Sequence, residues 1–367
     1  MGRMESMEYI LMHETITNHD AIGNDIEAMY HILNRTGRCY VYAVNQFNDS
    51  VRYISKDKLE TLVKKPDAIL IYHHSVYWEY GYDLLKNALC KKIIRYHNIT
   101  PAHFFAQYND WHHKQCLKGR ELTKEMIRNL KDVFWLCDSG YNASEVDLPE
   151  QYIGICPPFH KIESWAKTKP NEAVLRELAD SETINILFVG RIVPNKGYEQ
   201  ALDILHFYCS CYDQKIKFRV IGKFDDGLAG YNQEIREMIS DYNLEENVEF
   251  IGETSDADLL SYYLGSDLLL CCSRHEGFCI PIIEAQYFGL PVIALSETAV
   301  PETIGKNQLC LKDDNRLFTA AIRTVSRTPK YAAYLRREGL ENYQKRFSYS
   351  VICDRFRKEL ERGCRTE

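Results

Sequence analysis

No run of eighteen apolar residues occurs anywhere in these 367 residues, so nothing in the chain reads as a membrane-spanning helix. The opening MGRMESMEYILMHETI has too short an apolar core for a signal peptide. An excess of basic charge is also missing: the net charge of −7 argues against a general nucleic-acid binder, a class that carries a basic footprint. The thirteen cysteines include no CxxC pair, are odd in number and sit inside apolar runs, as Cys137 does in VFWLCDS and Cys271 and Cys272 do in SDLLLCCS. They read as reduced, mostly buried thiols, hence a cytoplasmic protein rather than a disulfide-stapled one. No G-x-G-x-x-G follows the first strand, which disfavours a dehydrogenase. No Asp-x-Asp pair sits at a convincing strand end, and no metal or other cofactor is expected. Low-complexity segments and short-period repeats are absent.

What is present is an ordinary globular composition, 45% hydrophobic and 26% charged, at a length that suits two or three domains. Short β-rich apolar runs recur in the first half: EYILMH (8–13), CYVYAV (39–44), AILIYH (68–73), KIIRYH (92–97), VFWLCDS (133–139) and YIGIC (152–156). A second series follows: INILFVG (184–190), KFRVIG (217–222), VEFIG (248–252), DLLLCCS (267–273), PVIAL (291–295) and LCLK (309–312). Helical spacing fills most of the gaps. Near-continuous apolar strands alternating with helices predict an α/β chain with two parallel sheets, each covered on both faces. The Pro- and charge-rich start of 157–183 has no strand signal and marks a boundary, giving domains at 1–160 and 161–335, with helices alone over 336–367. Two such domains would meet at a cleft, and open parallel sheets bind ligands beyond the carboxyl ends of their strands.

In RHEGFCIPIIEAQYFGLP (274–291), Glu276 and Glu284 have seven residues between them. Gly277 can turn the chain so that a helix starts near Pro281, where the missing N–H costs nothing. Were the stretch wholly helical, the carboxylates would stand about 12 Å apart along the axis, and the loop shortens this. The helix start between them offers free N–H groups and a positive dipole end, a site for an anion such as a pyrophosphate. Carboxylates on either side suit polyhydroxyl groups, and a nucleotide sugar has that layout. The plainer reading makes Glu276 a helix-start carboxylate and Glu284 an exposed helix residue. A second turn, in INILFVGRIVPNKGYEQALDIL, carries Arg191 and Lys196 between a strand end and a helix, where two cations could neutralise a pyrophosphate; surface Arg and Lys in a turn are also commonly just solvated.

GRIVPNKG together with EGFCIPIIEAQYFGLPVIA, about eighty residues on, resembles the donor-binding half of the retaining glycosyltransferases of family four, whose signature is EX7E and whose fold is GT-B. IGK (221–223), VEFIGETSDADLLSYYLGSD (248–267) and AVPETIG (299–305) fall in the family's order. The resemblance is strong over 184–305. It implies two Rossmann-like domains facing across a cleft, acceptor side first and nucleotide-sugar side second, with the final helices crossing back to the first domain. It implies that Arg191 and Lys196 hold the donor pyrophosphate, that Glu284 takes the ribose hydroxyls, and that Glu276 faces the transferred sugar. Gly190, Gly222, Lys223, Gly277, Phe278, Cys279 and Ile280 would line the donor site. In the first half, HETITNHDAIGNDIEAMYHIL resembles the family's first phosphate loop, here with Gly23 alone of the usual Gly pair, and IIRYHNITP puts His97 where the family has a histidine beside the donor sugar, Asn98 and Thr100 near it. A strand-end histidine is otherwise most often structural, and His73 and His74 stay open between the two readings. Where relatives often carry EGFG, this chain has Cys279 in the fourth place, so any positive φ there would meet steric cost. An apolar setting marks that thiol as packing rather than nucleophile.

The implied activity is metal-independent, retaining transfer of a hexose-type sugar from a nucleotide-diphosphate donor to a glycan or lipid-linked acceptor, by front-side attack. A sugar-nucleotide epimerase or a non-catalytic nucleotide-sugar-binding protein are the alternatives. Residues 86–131 hold ten Lys or Arg against three acidic residues, with Phe104, Phe105, Tyr108 and Trp111 among them. That stretch reads either as a peripheral contact with the anionic inner face of a membrane or as a solvated helix face with aromatics in the core.

Overall fold

The computed structural model describes residues 7–365 apart from 19, 166, 180, 181 and 213. Two compact units emerge: one takes the described residues of Met1–Pro101, Lys114–Lys161 and Tyr349–Glu367, the other those of Ala102–His113 and Ile162–Ser348. Against the boundaries expected after 160 and 335, the chain changes unit after Lys161 and after Ser348. The helix Pro329–Arg346 thus stays whole in the second unit, and the helix Tyr349–Arg365 goes to the first.

The first unit carries β1 (Glu8–Met12), β2 (Thr15–Thr17), β3 (Arg38–Tyr42), β4 (Asn45–Phe47), β5 (Ile69–His74), β6 (Lys91–Tyr96), β7 (Val133–Cys137) and β8 (Ile153–Ile155). Six of them form a parallel sheet in the order β3-β1-β5-β6-β7-β8, while β2 and β4 pair in a separate ribbon. Successive residues of a strand point to opposite faces. Accordingly Ile69 and Ile71 of β5 join Tyr9 and Leu11 of β1 in one core, and Leu70 and Tyr72 join Ile10 and Met12 in the other. Both faces are covered, which is why these runs are apolar throughout. The last helix, Tyr349–Arg365, contributes Ile352, Cys353 and Phe356 to the first of those cores, with the Phe356 ring 5.6 Å from Phe159.

The second unit carries β9 (Ile184–Val189), β10 (Ile216–Ile221), β11 (Val248–Gly252), β12 (Leu268–Cys271), β13 (Val292–Leu295) and β14 (Leu309–Leu311). All are parallel, in the order β11-β10-β9-β12-β13-β14. The chain steps outward from β9 to β11, then returns to place β12 on the other side of β9. That reversal parts the loops leaving β9 and β12, and such a switch point is where doubly wound sheets hold ligands.

Residues 102–113 join this second unit through aromatic and polar contacts. The Tyr108 hydroxyl donates to Glu234 at 2.8 Å and its ring meets Tyr231 edge-on at 5.1 Å, while Asn109 donates to the Gly227 carbonyl. Of Phe104, Phe105, Tyr108 and Trp111 in the basic stretch, Phe105 is buried and Trp111 is the exposed one, at 64%. No helix among the described residues is long and apolar enough to cross a membrane, and all thirteen cysteines are free thiols.

Candidate active site

The loops after β9 and β12 converge because one buried asparagine stitches them. Asn195 lies in the short turn Pro194–Lys196; its carbonyl accepts from the Arg274 and His275 amides at 2.9 and 3.3 Å, and its side chain donates to the His275 carbonyl at 3.2 Å. Lys196 is thereby set beside Glu276, Nζ to Oε1 at 2.5 Å. The Glu276 amide in turn donates to Thr298 Oγ1 at 2.9 Å, from the loop after β13. Burial pulls the Lys196 ammonium down, yet the Glu276 carboxylate outweighs it and the pKa stands above the ordinary lysine value. Arg191, earlier in the loop after β9, is exposed and makes no ion pair among the described residues. One cation is therefore held and one is available.

Glu284 is not the exposed helix residue of the plainer reading: it is 7% exposed, within the helix Ile280–Tyr287. Burial raises its pKa to about 7, opposed by a hydrogen bond from the Tyr263 hydroxyl and reinforced by Asp256. Helix Ile280–Tyr287 starts near Pro281, as expected; Pro281 brings no N–H, and the Ile282 N–H already donates to the Cys279 carbonyl at 3.3 Å. Arg191, Lys196, Glu276, Glu284 and this helix start all belong to one unit.

Cys279 caps that helix in the left-handed region, φ 77° and ψ 76°. The chain keeps the conformation for which glycine is the unstrained choice, at a cost of about 1–2 kcal/mol. Its Sγ lies 3.7 Å from Cys271 Sγ in a buried apolar cluster. That neighbour, and then burial, hold the Cys279 thiol well above the usual range, so it is no thiolate nucleophile.

The remaining expected donor-site residues divide. At Gly222 a Cβ would lie 2.0 Å from the Gly190 carbonyl oxygen, so only glycine lets the ends of β9 and β10 approach. Gly277 is half-buried in the loop before the helix. Phe278 turns inward, edge-on to Phe347 at 5.4 Å, while its carbonyl accepts from Thr303 at 2.5 Å. Ile280 opens the helix, and Lys223 is exposed and paired with Glu253 at 2.9 Å.

Gly23, His73, His74, His97, Asn98 and Thr100 lie in the first unit. The Gly23 amide donates to Asp20, which caps the helix Ala21–Leu33. His97 uses both ring nitrogens internally, Nδ1 with Asp138 at 2.8 Å and Nε2 with His73 Nδ1 at 2.9 Å. His74 bonds Thr123 at 2.8 Å. Burial is the main cause that drives His73 well below the ordinary value, His74 to about 3 and nearby His13 to about 4, so these three are neutral imidazoles. Asn98, at φ 72°, reaches Asn142 and Glu145 at 2.9 and 3.0 Å; Thr100 is half-buried. Asp25, His73 and His97 bring one ligand atom each within 4.8 Å of one another. However, the buried Arg95 guanidinium already pairs with Asp25 at 2.9 Å and Asp138 at 2.8 Å. A dication would sit against that positive charge, so these groups fit a metal poorly and satisfy one another instead.

Asn195, Tyr263 and Thr298 were not legible as site residues. Only proximity in space singles them out.

Residues 173–342 match the family model described as glycosyl transferases group 1. An uncharacterized 41.2 kDa protein in the cps region of Klebsiella pneumoniae is 29% identical over 197 residues, 53% of this chain and 44% of that protein. The amylovoran biosynthesis glycosyltransferase AmsD of Erwinia amylovora is 28% identical over 191 residues, 51% of this chain and 50% of that protein. The chain thus spans about half the length of the curated relatives it matches. Among solved structures, Anabaena Alr3699/HepE in complex with UDP-glucose superposes with a TM-score of 0.76 at 14% identity, over 97% of this chain and 99% of that one. WaaG, a glycosyltransferase involved in lipopolysaccharide biosynthesis, gives 0.70 at 12% identity, over 94% and 97%. The chain has the GT-B fold, and its stretch from 173 to 342, which carries Arg191, Lys196, Glu276 and Glu284, matches the group 1 glycosyl transferases.

Proposed function

We propose that the chain is a retaining, metal-independent glycosyltransferase that moves a hexose-type sugar from a nucleotide-diphosphate donor to a glycan or lipid-linked acceptor in polysaccharide biosynthesis. The observation that carries this is the pairing of Lys196 with Glu276 at the β9/β12 switch point, with Arg191 left available beside it. The likeness to AmsD supports the polysaccharide setting, and the UDP-glucose held by HepE supports a nucleotide-sugar donor.

In this reading the bond between the anomeric carbon and the β-phosphate oxygen breaks while the acceptor hydroxyl attacks from the same face. Negative charge develops on the departing diphosphate, where the Arg191 guanidinium, the Lys196 ammonium and the start of the helix Ile280–Tyr287 meet it. Donors placed in advance for developing charge are usually the largest single catalytic contribution. The leaving phosphate oxygen takes the acceptor's proton. Glu276 positions the sugar hydroxyls, and once donor is bound it shares Lys196 with the phosphates. Glu284 accepts from the ribose diol.

Incubation with a panel of nucleotide sugars, reading free UDP, GDP or dTDP, tests the proposal and separates transfer from epimerisation, which frees no nucleotide. Activity that survives exhaustive chelation supports the metal-independent mechanism; activity lost on chelation and restored by a divalent cation contradicts it. An anionic membrane contact is supported by Leu117, 48% exposed between Lys114 and Lys118. Failure to co-sediment with anionic vesicles at low salt rules that contact out.

A further inference from the structure

Glu284 is a buried carboxylate with no cation against it: among the described residues it forms no ion pair, and the Tyr263 hydroxyl is its hydrogen-bond partner. Leaving a carboxylate in so dry a place is costly unless its lone pairs are satisfied. Tyr263 is itself 1% exposed, on the helix Asp256–Gly265, with its ring stacked on Phe288 at 5.7 Å and Phe288 stacked on Trp165 at 6.4 Å. The phenol therefore has a fixed direction, and burial keeps it protonated. It can only donate.

We propose that Tyr263 is the positioning residue of the nucleoside subsite, holding the Glu284 carboxylate in the orientation and acceptor form that a ribose diol needs. This rests on the donor-site reading above and deepens it. A carboxylate has about four lone-pair positions. Tyr263 occupies one on Oε2, and the others remain for two vicinal O–H groups. A protonated Glu284 would turn one acceptor oxygen into a donor and lose the match. The groups that act on Glu284 are Tyr263, whose hydrogen bond favours the ionised acid, and Asp256, the one charged group among the described residues that opposes it; both lie on the same helix. Removing the phenol hydroxyl therefore pushes the acid limb of nucleotide binding to higher pH.

The test is calorimetric titration of the whole chain with UDP, GDP and ADP between pH 5.5 and 9, for the unaltered protein, Tyr263→Phe, Glu284→Gln and the double variant. The expected result has one of these nucleotides binding, more weakly below about pH 7. Tyr263→Phe then raises Kd about fivefold at pH 7, shifts the acid limb upward by about one unit and recovers near pH 9. In the Glu284→Gln background, where there is no carboxylate to hold, Tyr263→Phe adds no further loss. The 2′-deoxy form of the binding nucleotide is insensitive to Tyr263→Phe. A loss in Tyr263→Phe that is equal at all pH values, or that persists in the Glu284→Gln background, overturns the role of Tyr263 while leaving the nucleotide site standing. Binding of none of the three nucleotides to the unaltered protein overturns the donor-site reading and the positioning role with it.

Discussion

Lys196 Nζ stands 2.5 Å from Glu276 Oε1, although the two are eighty residues apart in the chain. The pair is the point at which the loop after β9 meets the loop after β12, and in the proposed function it sets a cation for the donor phosphates next to a carboxylate for the sugar hydroxyls. Because the folded Lys196 pKa lies above the ordinary value, the stability it contributes is fully present below about pH 10 and is lost only as pH rises beyond that. At neutral pH, Glu276→Gln should cost about 1 kcal/mol of unfolding free energy by urea titration, since Lys196 is only one-fifth exposed. Adding Lys196→Met to that variant should cost little more. The two single losses summing in full would mean the pair is uncoupled.

Arg191 offers the contrast. It is exposed and unpaired among the described residues, so Arg191→Ala should leave the melting temperature within about 1 °C of the parent. The same change should weaken binding of nucleoside diphosphates by about tenfold or more, because one charge-assisted bond to phosphate is lost. Calorimetry with UDP and GDP checks this. Unchanged affinity would remove Arg191 from the site.

Glu284 should make stability depend on pH in an uncommon direction. Its pKa is raised to about 7 from 4.5, so the stability associated with it is fully present below about pH 4.5 and is lost as pH rises through 7. Glu284→Gln should therefore leave the ligand-free chain little changed at pH 4.5 and stabilise it by about 2–3 kcal/mol at pH 8. Urea midpoints at the two pH values measure this. A variant less stable than the parent at pH 8 would show that the buried carboxylate is well solvated by partners.

Cys279 inverts the usual order of small substitutions. Both Cys279→Ala and Cys279→Gly lose the packing of Sγ, but only glycine relieves φ 77°. The glycine variant should be the more stable of the two by about 1 kcal/mol in the same urea assay. Alanine proving the more stable would place no strain at that cap.

Much of the fold was legible because parallel strands buried on both faces must be apolar throughout, as INILFVG and AILIYH are. The ribbon of Thr15–Thr17 with Asn45–Phe47 was not, since strands of three residues are too short to carry a period. The division of the chain was harder still: Ala102–His113 groups with the second unit through Tyr108, Tyr231 and Glu234, partners more than a hundred residues away. At the candidate site, Arg191, Lys196 and Glu276 stood out as charges just after apolar strands, and Glu284 by its spacing from Glu276. Asn195 and Tyr263 did not, because a stitching asparagine and a buried phenol look like any other Asn in a turn and any other Tyr in a helix until their partners are placed beside them. The strain at Cys279 lay between these cases: the position could be marked in advance, but the φ only folding reveals.

The most direct test of the central claim is release of nucleoside diphosphate from a panel of nucleotide sugars in the presence of chelator, comparing the parent chain with Lys196→Ala and Glu276→Gln. The account predicts release by the parent and a loss of about a hundredfold or more in each variant, with far-UV spectra unchanged. Release that continues undiminished in both variants, or a parent that frees no nucleotide from any donor, would contradict it.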